Sequence, residues 1–257
     1  MHSLIVIGPI LLLIAVAISV VVPVLVGRFL PDQHRQGLLK STLATGGTMV
    51  SPFMLVLGFM VVVLWGQIND AQKAIERESV ALGDVAALVE TLPPSVGDPV
   101  RDDVIAYARA AAAEWPSLGG GKPSPEAVSA FRTLRDAVLA LPRKSTGSAD
   151  SVLIDKAVDQ MLAAQGYRSD RTSAASQDIQ GVLWLALIVG TVLYLAYIAL
   201  TDTGPLRSRM VMMFLAVAVV ALILMLIAML DNPFSGDVQA DPAPFTNLVR
   251  DLTMPVR

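Results

Sequence analysis

Few residue types in this chain could carry out acid–base or nucleophilic chemistry. The sequence has no cysteine and only two histidines, His2 near the start and His34 in a short polar loop. Without cysteine there is no thiolate nucleophile, disulfide or zinc–thiolate site. The run Gly119-Gly120-Gly121-Lys122 does not match a phosphate-binding loop, because positions 116 and 123 are both proline. We therefore expect that the protein is not an enzyme and that it needs no cofactor.

Oxygen-bearing side chains that could hold a cation cluster near the C-terminal end. Asp231, Asp237 and Asp241 lie close together in sequence, with Asn232 beside the first of them. Ca²⁺ prefers carboxylate and carbonyl oxygens of this kind. Asp and Asn are also ordinary turn-forming residues. These three carboxylates are the candidates for a metal site, and a plain turn is the alternative.

Four long stretches without Asp, Glu, Lys or Arg dominate the chain. They cover residues 2–27, 41–69, 179–201 and 210–230. A bilayer core needs about 20 apolar helical residues, and one charged residue at its centre costs about 2.5–3.5 kcal/mol on insertion scales. The overall composition is 54% hydrophobic, in line with a membrane protein. The sequence therefore predicts an all-α integral membrane protein with four transmembrane helices.

The polar residues between the second and third stretches form one insert. The predicted division is residues 1–69 for transmembrane helices one and two, 70–178 for a helical insert, 179–230 for helices three and four, and 231–257 for a tail. Apolar positions continue at helical spacing beyond the second stretch, so its helix is predicted from Thr48 to Thr91 as a stalk. In the insert, Ser124 and Pro125 are typical of a helix start. A last insert helix, capped by Asp150, is expected to run without a break into transmembrane helix three.

The basic residues of the short loops predict the orientation. Arg28, Arg35 and Lys40 follow the first apolar stretch, and Arg207 and Arg209 lie between the third and the fourth. Short loops rich in Lys and Arg face the cytoplasm. We therefore expect a bacterial plasma-membrane protein with the insert and both termini on the extracytoplasmic side.

The lack of charge inside the membrane stretches argues against ion-coupled transport, which uses buried ionisable residues. A passive pore with an apolar constriction and charged mouths needs none. The pore-lining candidates are Thr48, Ser51, Phe53, Phe59 and Gln67, and the candidates for a cytoplasmic mouth are Arg28, Arg35 and Lys40. The alternative is that the small and aromatic residues only pack helices together and that the basic residues only set topology.

Residues spread over nearly the whole chain resemble one family. They are Phe59-Met60-Val61-Val62-Val63-Leu64-Trp65, Ala71, Ile75, Glu76, Glu78, Leu92-Pro93, Tyr107-Ala108, Glu114-Trp115-Pro116, Arg168, Arg171, Leu183-Trp184 and Asp231-Asn232-Pro233-Phe234-Ser235-Gly236. In order and spacing they resemble the bacterial bestrophin-like membrane proteins, an uncharacterised group with a domain of unknown function. The resemblance implies four membrane helices with a helical extramembrane region. It also implies a more distant similarity to bestrophins, which are pentameric anion channels gated by Ca²⁺.

Two features differ from bestrophins. The predicted topology places most of the polar residues outside the cell, whereas bestrophins keep theirs in the cytoplasm. No acidic Ca²⁺ clasp is evident at a matching place, so no calcium or pore residue is carried over from the resemblance.

Two functions from different classes remain open at this stage. The first is an oligomeric, passive, bestrophin-like anion channel. The second is a non-enzymatic accessory or scaffold subunit of a cell-envelope complex, such as a lipid or solute transporter. The expected partners are the lipid bilayer and either copies of this chain or other membrane subunits. Nucleic acid is not expected, because the net charge is −3 and the sequence has no basic stripe.

Overall fold

The computed structural model describes residues 2–29, 32–142, 148–176, 179, 181–202, 204–236 and 238–254. Side chains are described for residues 13, 15–29, 51–142, 150–176, 179, 181–202, 204–236 and 238–254. Every regular element in these ranges is an α-helix, which confirms the all-α prediction. The helices are α1 (His2–Phe29), α2 (Asp32–Glu90), α3 (Pro94–Ala112), α4 (Trp115–Gly119), α5 (Pro125–Leu139), α6 (Ser148–Ala175), α7 (Gly181–Thr201), α8 (Leu206–Leu230) and α9 (Ala243–Thr253).

The chain folds into two compact units, each built from two segments. The membrane unit comprises Met1–Trp65 and Ile179–Asp231, and the helical unit comprises Gly66–Asp178 and Asn232–Arg257. Three helical stretches are long and apolar enough to cross a bilayer, namely Ser51–Glu90, Gly181–Thr201 and Leu206–Leu230. In α1, the apolar stretch with described side chains is Ala15–Phe29. The structure thus has three candidate spans among the described residues, and the fourth predicted span (residues 2–27) falls partly on residues whose side chains lie outside the described set.

In the membrane unit, α1, α7 and α8 pack around small and flexible side chains. Ala15 of α1, Ala199 of α7 and Met213 and Val217 of α8 form a buried cluster. Small residues let helix backbones approach closely, which is how membrane helices associate. The outer surface of the unit is apolar, with residues such as Val182 and Leu222 largely exposed. An apolar surface of this kind is suited to lipid.

Helix α2 is longer than the predicted stalk. The sequence predicted a start at Thr48, whereas the helix begins at Asp32 and passes through Gly46 and Gly47 without a break. Glycine only weakens a helix, and in an apolar environment an interrupted backbone would leave polar groups unpaired. The predicted end is confirmed, because α2 finishes at Glu90 and the Leu92 N–H turns back to the Val89 carbonyl at 3.0 Å.

The predicted continuous helix from the insert into the third membrane stretch is wrong. Helix α6 ends at Ala175 and α7 begins at Gly181. Ile179 lies outside both helices, and its N–H donates to Oδ1 of Asp231 at 2.7 Å. The indole N–H of Trp184 donates to the other oxygen of Asp231 at 3.3 Å. A side-chain acceptor thus replaces the intrahelical carbonyl that a continuous helix would supply.

The described residues of the helical unit share a hydrophobic core. The apolar stripe predicted for the second half of α2 is buried there, including Ile75, Leu82, Val85 and Val89. Residues of α3, α5 and α6 complete the core, and the tail adds Phe234 and Phe245. The tail is therefore part of the helical unit.

Two local features fix the start of α5 and the junction between α2 and α3. Ser124 is the N-cap of α5 as predicted, with its hydroxyl accepting from the Ala127 N–H at 3.0 Å. Gly97 lies in the first turns of α3, where a Cβ would come within 2.2 Å of the Val89 carbonyl oxygen. Only glycine allows this close approach between α3 and the end of α2.

Candidate functional site

A buried network of five polar side chains lies at the centre of the helical unit. The arginine network consists of Glu78 on α2, Tyr107 on α3, Glu114 just before α4, and Arg168 and Arg171 on α6. Buried charges are rare in proteins unless they are paired. The network is the strongest concentration of charge in the described core.

Arg171 joins the two carboxylates. Its Nε donates to Glu78 Oε2 at 2.7 Å and its Nη1 donates to Glu114 Oε2 at 2.8 Å, with all three side chains inaccessible to solvent. Burial lowers the pKa of Arg171, but the Glu78 carboxylate, Tyr107 and Glu114 outweigh it and raise that pKa above its ordinary value. Two carboxylates and two guanidinium groups balance, so the network carries no net charge when all four are ionised.

Tyr107 and Arg168 complete the network. The Tyr107 hydroxyl donates to Glu78 Oε1 and accepts from Arg168 Nη1 at 2.6 Å. Burial, and then the Glu78 carboxylate, raise the pKa of the Tyr107 phenol, so it stays protonated and serves as a donor. Glu114 also accepts from the Ser124 backbone N–H at 2.9 Å, which connects the network to the start of α5.

Aromatic rings surround both guanidinium groups. The Arg171 guanidinium carbon lies 5.3 Å from the Phe245 ring centre and 6.0 Å from that of Trp115. The Arg168 guanidinium carbon lies 5.1 Å from the Phe131 ring centre. Cation–π attraction of this kind is strongest where water is excluded. The network thereby connects α2, α3, α4, α5, α6 and α9.

Sequence reasoning did not identify this network, although the resemblance contained all five of its residues. A signal was present in α2. Glu78 stands three residues after Ile75 and four before Leu82, in the middle of the apolar stripe. A carboxylate on the buried face of a helix requires a cationic partner. The partner lies 93 positions away, at Arg171, and cannot be identified from local pattern.

The pore-lining candidates on α2 do not share one environment. Ser51 and Phe59 are exposed, and Phe53 is half-buried. The Phe53 ring lies 6.2 Å from that of Tyr194 on α7, and a Cβ at Gly190 would come within 2.4 Å of it. Phe53 therefore packs against α7. The side chain of Thr48 lies outside the described residues.

Gln67 differs from the other candidates. It belongs to the helical unit and lines a cavity of 230 Å³ together with Asp70, Asp170 and Ser173. Its Oε1 atom is buried and has no hydrogen-bond partner among the described residues. Asp70 forms an exposed ion pair with Lys73 at 3.1 Å.

The basic residues of the predicted loops are placed as follows. Arg28 is exposed in the last turn of α1, and the side chains of Arg35 and Lys40 lie outside the described residues. Arg207 and Arg209 were predicted in a loop, but both lie in the first turn of α8. Arg209 is only 8% exposed, and its Nη2 donates to the Pro23 carbonyl of α1 at 2.8 Å.

The two metal-site candidates that the structure describes, Asp231 and Asp241, accept local hydrogen bonds. Asp231 accepts from Ile179 and Trp184, and Asp241 Oδ1 accepts from the Ala243 N–H at 2.8 Å at the start of α9. Asp237 lies outside the described residues. Within the described ranges, no group of three or more His, Asp or Glu side chains is arranged to hold a metal ion.

Apolar helices of spanning length and a helical unit with a buried ionic core define the class, an all-α membrane protein. The family model of the Bestrophin-like domain matches residues 13–245. The chain therefore belongs to the Bestrophin-like family, as the resemblance indicated. No functionally curated protein matches it in sequence.

Solved structures share the fold over nearly the whole chain. A crystal structure of a bacterial Bestrophin homologue from Klebsiella pneumoniae is similar with a TM-score of 0.70 and 14% identity, covering 95% of this chain and 96% of that one. A second variant of this homologue gives a TM-score of 0.69 at 13% identity, covering 95% and 98%. A crystal structure described as that of a membrane protein gives 0.70 at 13% identity, covering 95% and 96%. At these identities the similarity shows the fold.

Proposed function

We propose that this protein is an oligomeric, passive anion channel of the plasma membrane, with α2 lining its pore. The observation that carries the proposal is the family match over residues 13–245, together with a fold shared end to end with a bacterial Bestrophin homologue. The resemblance to bestrophins implies an oligomeric anion channel, and the fold similarity to a bacterial Bestrophin homologue, which covers 95% of this chain, supports that proposal.

An exposed apolar stripe on α2 supports a pore-lining role. Leu55, Phe59 and Val62 are 74%, 66% and 68% exposed. Their spacing of four and then three residues places them on one face of the helix. In a ring of subunits, such a face would form an apolar constriction, which gates ions by excluding water. Phe59 is the pore-lining candidate predicted from the sequence on this face, and Leu55 and Val62 lie beside it.

The charge distribution supports passive conduction. Among the described side chains of the spanning helices in the membrane unit, Asp, Glu, Lys and Arg occur only at helix ends. Coupled transport needs ionisable groups near the membrane centre. Arg28, with Arg35 and Lys40, would form a basic mouth that concentrates anions in a ring of subunits.

The proposed orientation keeps the helical unit and both termini extracytoplasmic. Because the two segments of that unit share one core, the chain between them crosses the bilayer an even number of times, as a pair formed by α7 and α8 would. Reporter fusions after Lys40 and after Met254 test the orientation. Cytoplasmic activity of the second fusion would contradict it.

The experiment that tests conduction is halide flux from purified protein in liposomes. We expect halide flux that needs no coupled gradient of a second ion. Phe59→Ser should change the rate of that flux. Val182→Ser on α7 is the matched control, since Val182 is 74% exposed but lies on another helix. A folded preparation that conducts nothing under varied voltage, pH and Ca²⁺ would overturn the proposal. Native mass measurement adds the second arm, because a ring of identical chains supports a channel, whereas stoichiometric foreign subunits support the accessory role.

A further inference from the structure

A charged side chain is buried between two membrane helices. Arg209 lies in the first turn of α8 and is 8% exposed. Its Nη2 donates to the Pro23 carbonyl of α1 at 2.8 Å. Pro23, Ile198, Ala199, Asp202 and Met213 line the same pocket around it. Burying a guanidinium is costly unless its hydrogen bonds are made, so its position is specific.

Arg209 reaches α1 at a proline. Proline has no N–H, so the turn at Pro23 lacks the hydrogen bond that would return to Ser19. Ser19 is itself buried, and its hydroxyl donates to the Val16 carbonyl at 2.8 Å. A missing hydrogen bond of this kind lets a helix bend.

The next turn of α1 is shaped to admit the guanidinium. A Cβ at Gly27 would lie 3.3 Å from Nη1 and 3.9 Å from Nη2 of Arg209. A larger side chain there would displace the group. Pro23 supplies the acceptor and Gly27 supplies the space, and both lie on the same α1 segment.

The parts of α1 before and after Pro23 are packed to different extents. Before Pro23, Ala15 lies in the apolar cluster with Met213 and Val217, and Ile18 and Val22 pack against that cluster. After Pro23, Val26 packs against the same cluster, whereas Val24 and Leu25 are 42% and 45% exposed. The Arg209 hydrogen bond to the Pro23 carbonyl adds a buried polar contact with α8. Among the described residues, Pro23 thus separates a longer part of α1 with several side chains on the cluster from a short part with fewer.

We propose that Arg209 is a latch that holds the last turns of α1 (residues 24–29) against α8, and that releasing it lets this segment swing about Pro23. The inference concerns the described residues of the membrane unit and does not depend on ion conduction. Its failure and the failure of the channel proposal are therefore separate results.

Distance measurement between spin labels tests the latch. The chain has no cysteine, so labels can be placed cleanly. One pair, Val24→Cys with Val211→Cys, lies on the latch side of Pro23, and a second pair, Val16→Cys with Val219→Cys, lies on the packed side. All four positions are exposed. Labelled chains are diluted with unlabelled chains in lipid nanodiscs, so that only distances within one chain are read.

In Arg209→Gln we expect the first pair to shift to longer distance with a broader distribution, and the second pair to stay unchanged. Arg209→Lys keeps the charge without the planar fork and should give a smaller shift in the same direction. Arg207→Gln is the matched control, because Arg207 is exposed on the same turn.

Unchanged distances at both pairs in folded Arg209→Gln would overturn the latch. Equal broadening at both pairs would also overturn it, since that result marks a general loss of packing. If Arg209→Gln does not fold, Gly27→Val gives the decisive measurement, because a branched side chain at that position displaces the guanidinium. A folded Gly27→Val chain with both distributions unchanged would then contradict the proposal.

Discussion

Arg171 on α6 donates from Nε to Oε2 of Glu78 on α2 at 2.7 Å, and neither side chain is accessible to solvent. The same guanidinium also reaches Glu114. Removing it by Arg171→Ala would leave two buried carboxylates without their main partner, which costs about 3–5 kcal/mol. The expected result is a large fall in the unfolding midpoint in detergent, followed by tryptophan fluorescence. Arg135→Ala is the control, because its pair with Asp136 is exposed. Equal effects of the two substitutions would contradict a dominant role for the network.

Replacing both members of the pair should be less harmful than the single losses suggest. Glu78→Leu leaves Arg171 with fewer acceptors, and Arg171→Leu leaves Glu78 unpaired. The double variant removes both charges and keeps Glu114 beside Arg168, whose nitrogen lies 3.7 Å from it. We expect the double loss of stability to fall below the sum of the single losses by about 1–3 kcal/mol. Additive losses would show that the two side chains act independently.

Tyr107 predicts a specific response to alkaline pH. Burial, with the Glu78 carboxylate adding to it, raises the pKa of its phenol above the ordinary value of 10.0. The unfolded chain binds fewer protons than the folded chain above that pH. The contribution of Tyr107 is therefore complete below about pH 10 and declines as the pH rises further. Tyr107→Phe should be less stable than the parent at about pH 8, and the gap should narrow by about pH 11. A gap that stays constant over this range would contradict the raised pKa.

Gly97 should tolerate no side chain. A Cβ there would lie 2.2 Å from the Val89 carbonyl oxygen. Because that oxygen belongs to the backbone, it cannot move aside easily. We expect Gly97→Ala to destabilise the helical unit by about 1–3 kcal/mol through overpacking. Gly166→Ala on α6 is the control, because nothing lies within 4 Å of its Cβ position. That control should be neutral or slightly stabilising, since alanine favours helix by about 1 kcal/mol over glycine. Thermal unfolding of the two variants measures the difference.

In the membrane unit, the Phe53 ring packs directly against the backbone of Gly190. A Cβ at Gly190 would come within 2.4 Å of the Phe53 ring. We expect Gly190→Ala to lower the unfolding midpoint and Phe53→Leu to restore part of the loss, because the smaller side chain vacates the space. A double-mutant cycle measures the coupling. If Phe53 instead faces an open pore, the two substitutions will be independent.

The sequence predicted those features that depend on local pattern. The apolar stretches predicted membrane helices, and Ser124 with Pro125 predicted the start of α5. The start of α2 was predicted at Thr48, whereas the helix begins at Asp32 and continues through Gly46 and Gly47. A helix in an apolar environment keeps its own hydrogen bonds even where helix propensity is poor.

Long-range partners could not be predicted in the same way. Glu78 and Arg171 are 93 positions apart, and Arg209 and Pro23 are 186 positions apart. Nothing in the local sequence shows that Arg209 is buried, since the space it occupies is made by Gly27 on another helix. Ile179 lies between α6 and α7, and the acceptor of its N–H, Asp231, lies 52 positions later.

The tail residues in the helical core also determine the order in which the protein can fold. The Trp115 indole donates to the carbonyl of Ala240, 125 positions later, at 2.8 Å, and Phe245 is fully buried. These partners leave the ribosome only after α7 and α8 have been synthesised. Until then, Trp115 lacks the contacts with Ala240 and Phe245 that cover it in the folded protein. Closing such distant contacts is slow, and it exposes an apolar surface in the meantime. Completion of the helical core is therefore a late event that follows synthesis of the membrane helices.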